Sequence, residues 1–415
     1  MRITDIELHE IHPPIPEWNR DEVRLSSGGN WDTRTVVVLH TDNGLEGITE
    51  WEGPCRDVRV ADVEPLRGTN PARWLGHPSL PIWIAPAIYD LVGKAMEVPA
   101  YQLIGPKVRS WVPVSSWTVS QTPARMAQEL EDAVSKGHRW LKFHTYHLHN
   151  VIEQTRAMQQ VAPDGFKIHY DINFNNSPDE VLTLARQLAQ FPAAGLIEDP
   201  VRSHDLQGHI HLRERSPLPI ILHHCPLGGR EAMMGVADGY MLGHSPVGQT
   251  LRRAGLYEAA NVPFMMQNNG GNITLAMVVH MAAALERATL HHVTLGRMWS
   301  EDVVEPLPVI GGQVEVPERP GLGITLDREK LLRLAERSVD PLPNSLLRID
   351  HGPGYVTCAR PPIINLPRDI HLHLLGVGDG YDLPVDLTYW HNDASAAFEK
   401  MWSQTAAGPM TEKIN

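Results

Sequence analysis

Trp140-Leu141-Lys142-Phe143-His144, Phe166-Lys167-Ile168-His169-Tyr170-Asp171, Gly195-Leu196-Ile197-Glu198 and Pro219-Ile220-Ile221-Leu222-His223-His224 are four short apolar runs, and each closes on a chemically capable side chain. Lys142 to Asp171 is 29 residues, Asp171 to Glu198 is 27, and Glu198 to His224 is 26. A step of that size holds one strand, one crossover helix and two loops. Repeated steps that each deliver a polar side chain at a strand end predict an α/β barrel with its site at the C-terminal mouth.

The alternation extends on both sides of these runs. A strand is expected from Val112 to Trp117 and a helix from Pro123 to Ser135, with the next helix from Val151 to Val161. Ser177 caps a further helix with Pro178 at its first position and Asp179 and Glu180 in its first turn. Later strands are expected at Tyr240–Gly243, Pro263–Gln267 and His291–Leu295. Upstream, Ile3–His9, Arg34–Thr41 and Leu45–Glu52 read as antiparallel strands around the turn Asp42-Asn43-Gly44, and Pro86–Leu103 reads as a helix. The chain therefore divides into an N-terminal α+β unit (1–111), a barrel (112–312), a return segment (313–340) and a C-terminal extension (341–415). The extension carries Pro clusters, the alternating Ile370-His371-Leu372-His373-Leu374-Leu375, and Trp390 and Trp402; it has the composition of folded chain and no assigned chemistry.

At 415 residues, with 42% hydrophobic and 20% charged residues, the chain is long enough for two folded units. A net charge of −13 argues against nucleic acid or an anionic membrane surface as the main partner. No apolar run reaches the ~20 residues of a membrane span, and the start of the chain lacks a signal-peptide core. Cys55, Cys225 and Cys358 form neither a disulfide framework nor a metal-type Cys-x-x-Cys pair, so a reducing cytoplasm is the expectation.

Asp171, Glu198 and His224 close successive strands and are candidate ligands of one divalent ion. Two carboxylates favour Mg²⁺; one imidazole moves the preference toward Mn²⁺, Fe²⁺ or Zn²⁺. The alternative is that the carboxylates cap loops or pair with mouth arginines. Lys142 and His144 are two apart in a strand, so both face the barrel interior. Beside a cation the Lys142 pKa should fall, which suits a general base. Its alternative is a lysine salt-bridged to Asp171 or Glu198 for structure alone.

Residues 1 to about 340 resemble the enolase superfamily in its mandelate racemase/muconate lactonizing enzyme branch. The resemblance rests on Thr35-Val36-Val37-Val38-Leu39 with Gly44-Leu45-Glu46-Gly47-Ile48-Thr49-Glu50, and on Ala87-Ile88-Tyr89-Asp90-Leu91-Val92-Gly93-Lys94 with Leu103-Ile104-Gly105. Leu141-Lys142-Phe143-His144 lies at the Lys-x-Lys motif, His169-Tyr170-Asp171-Ile172-Asn173 at the Asp-x-Asn motif, and Ile197-Glu198-Asp199-Pro200 at the fourth-strand signature. Pro320-Gly321-Leu322-Gly323-Ile324 matches the return to the capping domain. The resemblance implies a modified TIM barrel, (β/α)₇β, under an α+β capping domain. It also implies homo-oligomers and a Mg²⁺ that holds a small carboxylate substrate while a Lys or His base takes its α-proton.

The departures carry equal weight. The family's third metal ligand is acidic; here it is His224, with His223 beside it, so Mn²⁺ or another divalent ion joins Mg²⁺ as a candidate. His144 replaces the second lysine. Gln267 or Asn268 stands at the histidine position of strand seven, His244 near the aspartate position of strand six, and Leu295 on strand eight. Lys142, His144 and His244 are thus the catalytic candidates, and Asn173, Gln267 and Asn268 the substrate-binding ones. Trp18, Arg20, Arg24 and Trp31 lie where family capping loops close over substrate. With no second base on the far face, a metal-dependent lyase that dehydrates a sugar acid or related hydroxy acid is favoured. A racemase or epimerase using His144 and His244 is the alternative, and a barrel without catalysis that serves binding or assembly is the third reading.

Overall fold

The computed structural model describes residues 1–27, 31–145, 150–173, 176–243, 245–352, 354–361 and 386–413. The N-terminal unit is a three-stranded antiparallel sheet, β1 (Ile3–Ile11), β2 (Arg34–Thr41) and β3 (Glu46–Trp51), in that order. Helix α1 (Arg20–Ser27) interrupts it; α2 (Val60–Val63) and α3 (Ala85–Met96) follow. The helix expected to run to Leu103 stops at Met96, because Glu97 takes a left-handed conformation (φ 57°) and Pro99 precedes a separate 3₁₀ turn over Ala100–Leu103.

Eight parallel strands then close on themselves: β4 (Trp111–Thr118), β5 (Trp140–His144), β6 (Lys167–Asp171), β7 (Ala194–Glu198), β8 (Ile220–Leu222), β9 (Gly239–Gly243), β10 (Phe264–Gln267) and β11 (His292–Thr294), with β11 pairing β4. The crossovers are α4 (Pro123–Ser135), α5 (Val151–Val161), α6 (Pro178–Leu188), α7 (Leu206–Arg215), α8 (Val247–Ala259) and α9 (Asn272–Ala284). Ser177 and Glu180 form the expected reciprocal cap of α6. Among the described residues the β8–β9 crossover carries no α-helix, only a 3₁₀ turn at Arg230–Met234. After β11 the chain forms β12 (Val309–Ile310) and β13 (Gln313–Glu315), and β13 pairs antiparallel with β4. Helix α10 (Arg328–Glu336) returns to the N-terminal sheet.

Strand parity sorts the side chains. Trp117, Leu196, Ile221, Met241, Met265 and Val293 share one cluster inside the barrel, and Ile15 and Val23 of the N-terminal unit belong to it. The segment around α1 therefore covers the barrel. Arg34 fastens the two units: its guanidinium is buried, 2.7 Å from Glu50 and 2.8 Å from Asp302. A close backbone approach adds a second joint. A Cβ on Gly93 in α3 would stand 2.8 Å from the Cα of Gly321, itself at φ 71°, so neither position has room for a side chain.

The extension is a small sheet of its own. Strands β14 (Ser345–Asp350), β15 (Tyr355–Ala359), β16 (Asp386–His391) and β17 (Met410–Lys413) run in the order β16-β14-β15-β17. Helix α11 (Ala396–Gln404) packs Phe398 and Met401 against Leu346, Val356 and Cys358. The alternating stretch Ile370–Leu375 lies outside the described residues.

Candidate functional site

The ends of β5, β6 and β7 meet in register, His144 opposite Asp171 and Asp171 opposite Glu198. Period-two alternation turns Lys142, His169, Asp171 and Glu198 into the barrel, where Lys142, His169 and Glu198 have no solvent exposure. Lys142 Nζ lies 2.6 Å from Glu198 Oε2, 3.2 Å from Asp171 Oδ2 and 2.7 Å from Gln267 Oε1. An ammonium has three N–H donors, and three oxygens surround this one. Burial opposes the Lys142 charge, but the charges of Glu198 and then Asp171 outweigh it and hold the pKa above its ordinary value. In this arrangement the two carboxylates favour the ammonium form of Lys142.

Glu198 is the hub. Burial works against its charge, yet Lys142, His169 and His223 together hold its carboxyl well below the usual range. His169 Nε2 stands 2.6 Å from Glu198 Oε2, and His169 Nδ1 is 3.1 Å from His291 Nε2. His291 stacks on Trp140 at 3.7 Å between ring centres, and burial drives its pKa well down. His223 Nδ1 is 3.0 Å from Glu198 Oε1.

Above this layer, His144 Nε2 lies 3.2 Å from Asp171 Oδ2, and its ring meets the edge of Trp117, which in turn touches Trp31 of the covering segment. Asn173, at φ 57°, donates to the Asp171 carbonyl. Asn268, next to Gln267 in the chain, lines a cavity of about 550 Å³ with Asn269, Trp51, Glu52 and Trp83. His244 lies outside the described residues. Of the covering residues, Arg24 is buried on Asp32 at 2.7 Å, Trp18 sits under Arg125, and Arg20 pairs with its neighbour Asp21.

The proposed ligand triad is only partly assembled. Asp171 and Glu198 converge on Lys142, whereas His224 turns to Asp199, with Nδ1 2.7 Å from Oδ2. Parity explains this: Ile221 faces the interior, so His223 follows it inward and His224 does not. Among the described residues, the group of three whose donor atoms all lie within 4.8 Å of one another is Asp199, His223 and His224. Two imidazoles and a carboxylate at that spacing fit a divalent ion. From sequence, His224 is the ligand candidate with His223 beside it, and Asp199 has no assigned role. Counting two residues on from Ile221 identifies His223; no sequence signal marks the left-handed backbone of Asp199 (φ 44°).

Residues 125–330 match the family model described as enolase C-terminal domain-like. The N-succinyl-L-Arg/Lys racemase of Bacillus cereus is 24% identical over 375 residues, covering 80% of this chain and 98% of that protein. Its crystal structure superposes with a TM-score of 0.64 over 81% of this chain and 99% of that one. Muconate cycloisomerase 1 of Pseudomonas putida is 27% identical over 61% of this chain and 71% of its own length. D-galactonate dehydratase of Xanthomonas axonopodis pv. citri is 24% identical over 71% of this chain and 90% of its own. With a closed eight-stranded barrel, an N-terminal antiparallel sheet and the family match over residues 125–330, the chain belongs to the enolase superfamily, in the mandelate racemase/muconate lactonizing enzyme branch.

Proposed function

We propose that this chain dehydrates a sugar acid or a related hydroxy acid, removing the proton α to its carboxylate and releasing a 2-keto acid. The observation that carries the reading is an asymmetry among the described residues: His144 stands on Asp171 at one side, and the amide of Gln267 faces Lys142 from the other. A carboxamide is neither acid nor base near neutral pH and so does not act as a second base, which favours chemistry run from one face. The similarity to a sugar-acid dehydratase is consistent with that choice.

In this mechanism Lys142 is an anchor. Its ammonium fixes Asp171 and Glu198, and a cation held at that depth favours negative charge developing at the mouth. His144 is the base, oriented by Asp171 and partly exposed toward the mouth. A divalent ion held by Asp199, His223 and His224 would supply a Lewis acid for the substrate carboxylate. The Cα–H bond breaks and the proton passes to the His144 imidazole. The imidazolium then hands a proton to the departing β-hydroxyl, which leaves as water, and the enol product becomes the 2-keto acid.

The test is incubation of the metal-supplemented protein with a library of acid sugars, with keto acids trapped as semicarbazones. At least one acid should react, and His144→Ala should slow it by roughly 10²–10⁴-fold. Exchange of the α-proton with solvent and no elimination would replace this reading with racemisation, the activity named for the Bacillus cereus relative. No turnover of any acid would leave a binding or assembly role.

A further inference from the structure

Residues 341–415 lie beyond the barrel and the return segment, and their sheet has an apolar core of its own in Leu346, Val356, Cys358, Phe398 and Met401. The covering segment meets the chain that leads into this sheet at two points. The His12 backbone N–H donates to the Leu334 carbonyl at 3.0 Å, and Arg337 Nη1 donates to the His12 carbonyl at 2.9 Å. Further along, the buried guanidinium of Arg24 in α1 bonds Asp32 through Nε at 2.7 Å and donates through Nη2 to the carbonyl of Asp340. A buried guanidinium needs acceptors for its N–H groups, so the Asp340 carbonyl helps to fix where α1 lies.

The sheet itself reaches the same helix. Tyr389 and His391 are two apart in β16 and so share a face, and their rings stack with centres 6.2 Å apart. Strand β14 fixes their position: Ser345 pairs with His391 in register, and its hydroxyl lies 2.9 Å from His391 Nδ1. Glu22 of α1 is where this face meets the cover. Its carboxylate is mostly buried, 3.4 Å from Arg125 Nε of α4. Burial raises the Glu22 pKa, and Arg125, the Thr122 backbone N–H and His391 work against that rise. Burial also pushes the Tyr389 phenol up, and the Glu22 charge adds to it. Toward the barrel the cover gives Ile15, Val23 and Trp31 to the interior cluster. Trp31, next to Asp32, packs on Trp117 with ring centres 5.3 Å apart, and Trp117 meets His144 at 5.5 Å.

We propose that the C-terminal sheet is a latch for the cover: β16 bears on α1 at Glu22, and Asp340 holds Arg24, so that α1 and Trp31 stay seated over the barrel mouth. Tyr389 and His391 are then positioning residues, acting on the mouth through α1 and through the contacts of Trp31 with Trp117 and of Trp117 with His144. A segment held by few apolar contacts opens more readily than the core beneath it, and the sheet supplies a second wall against that opening. The proposal concerns how the cover is seated and does not rest on the dehydration reading.

The test is hydrogen–deuterium exchange of the full-length protein, read by mass spectrometry on peptides from α1 and, as controls, from β14–β15 and β5–β7. His391→Ala and Tyr389→Ala should each speed exchange in α1 by at least ~3-fold and leave β5–β7 within ~2-fold of wild type. Tyr389→Phe, which keeps the ring, should stay closer to wild type than Tyr389→Ala. Glu22→Gln should loosen α1 as well. Combined with His391→Ala it should give less than the product of the two separate effects, because both changes act on one contact. His391 is exposed, so His391→Ala should leave the sheet folded, and wild-type protection of β14 and β15 checks this. If Tyr389→Ala strips protection from the sheet itself, α1 must loosen with it. Wild-type exchange in α1 across these variants would overturn the proposal, as would fully independent effects of Glu22→Gln and His391→Ala. A smaller oligomer with α1 still protected would make the sheet an assembly surface and overturn the latch.

Discussion

Lys142 is the residue on which the polar interior depends. Replacing it by methionine leaves Glu198 and Asp171 buried side by side without their cation. Removing one partner of a buried ion pair costs about 3–5 kcal/mol, a large part of the ~5–15 kcal/mol that holds a domain together. Lys142→Met should therefore shift the urea midpoint sharply downward; a wild-type midpoint would mean that the carboxylates are satisfied elsewhere. Much at this scale was legible in the sequence. Lys142 within β5 and Asp171 and Glu198 at strand ends are polar residues in apolar runs, and parity places them inside. That Lys142 would pair with Asp171 or Glu198 was legible too, and it contacts both. The division of labour between His223 and His224 was harder, since two adjacent imidazoles look alike until Ile221 fixes which one enters the barrel. Asp199 owes its position to a backbone conformation rare outside glycine, and residue type does not announce it.

At the scale of elements, β11 and its neighbours carry buried neutral histidines. His292 Nδ1 accepts the Met266 backbone N–H at 2.9 Å while Nε2 donates to the Ala288 carbonyl, so protonation would break the first bond. Burial lowers the His292 pKa to about 3, and burial likewise takes His138 to about 3 and His280 to about 4. Each folded pKa lies below the unfolded value of about 6.5, so the unfolded chain binds more protons in acid. The stability from these groups is full above pH 6.5 and falls as pH drops toward the folded values. Each should contribute about 1.4 kcal/mol per pH unit across that window. His292→Gln should reduce the slope of denaturation midpoint against pH by one proton's worth between pH 6 and 4; an unchanged slope would contradict the assignment. The helices were largely readable, since Pro123 and Ser177 mark their starts. The C-terminal sheet was harder to read, because β14 alternates only over Leu347–Asp350, too short a stretch to mark a strand by itself.

Across the whole molecule, the covering unit and the barrel share a buried ionic joint. Arg34 on β2 contacts Glu50 on β3 and Asp302 after β11, and its guanidinium stacks 4.1 Å from the Trp299 ring. Arg34→Met would strand two buried carboxylates at the junction. A loss of about 3–5 kcal/mol is expected, with earlier protease cleavage around α1 than in wild type. Unchanged cleavage and stability would show that the apolar contacts of Ile15 and Val23 suffice to seat the cover. Strand and helix order along 415 residues was enough to place a cap before a barrel. The Arg34 joint was out of reach because its partners are 16 and 268 residues away.

The central claim is that the polar ends of β5 to β8 take a proton from the α-carbon of a carboxylate. The most direct measurement is mass spectrometry of acid sugars deuterated at C2, incubated with metal-loaded protein in ordinary water. Loss of the C2 deuterium with appearance of the 2-keto acid, much reduced in His144→Ala, is the predicted result. Full retention of C2 deuterium in every acid, with the protein folded and its metal bound, would contradict it.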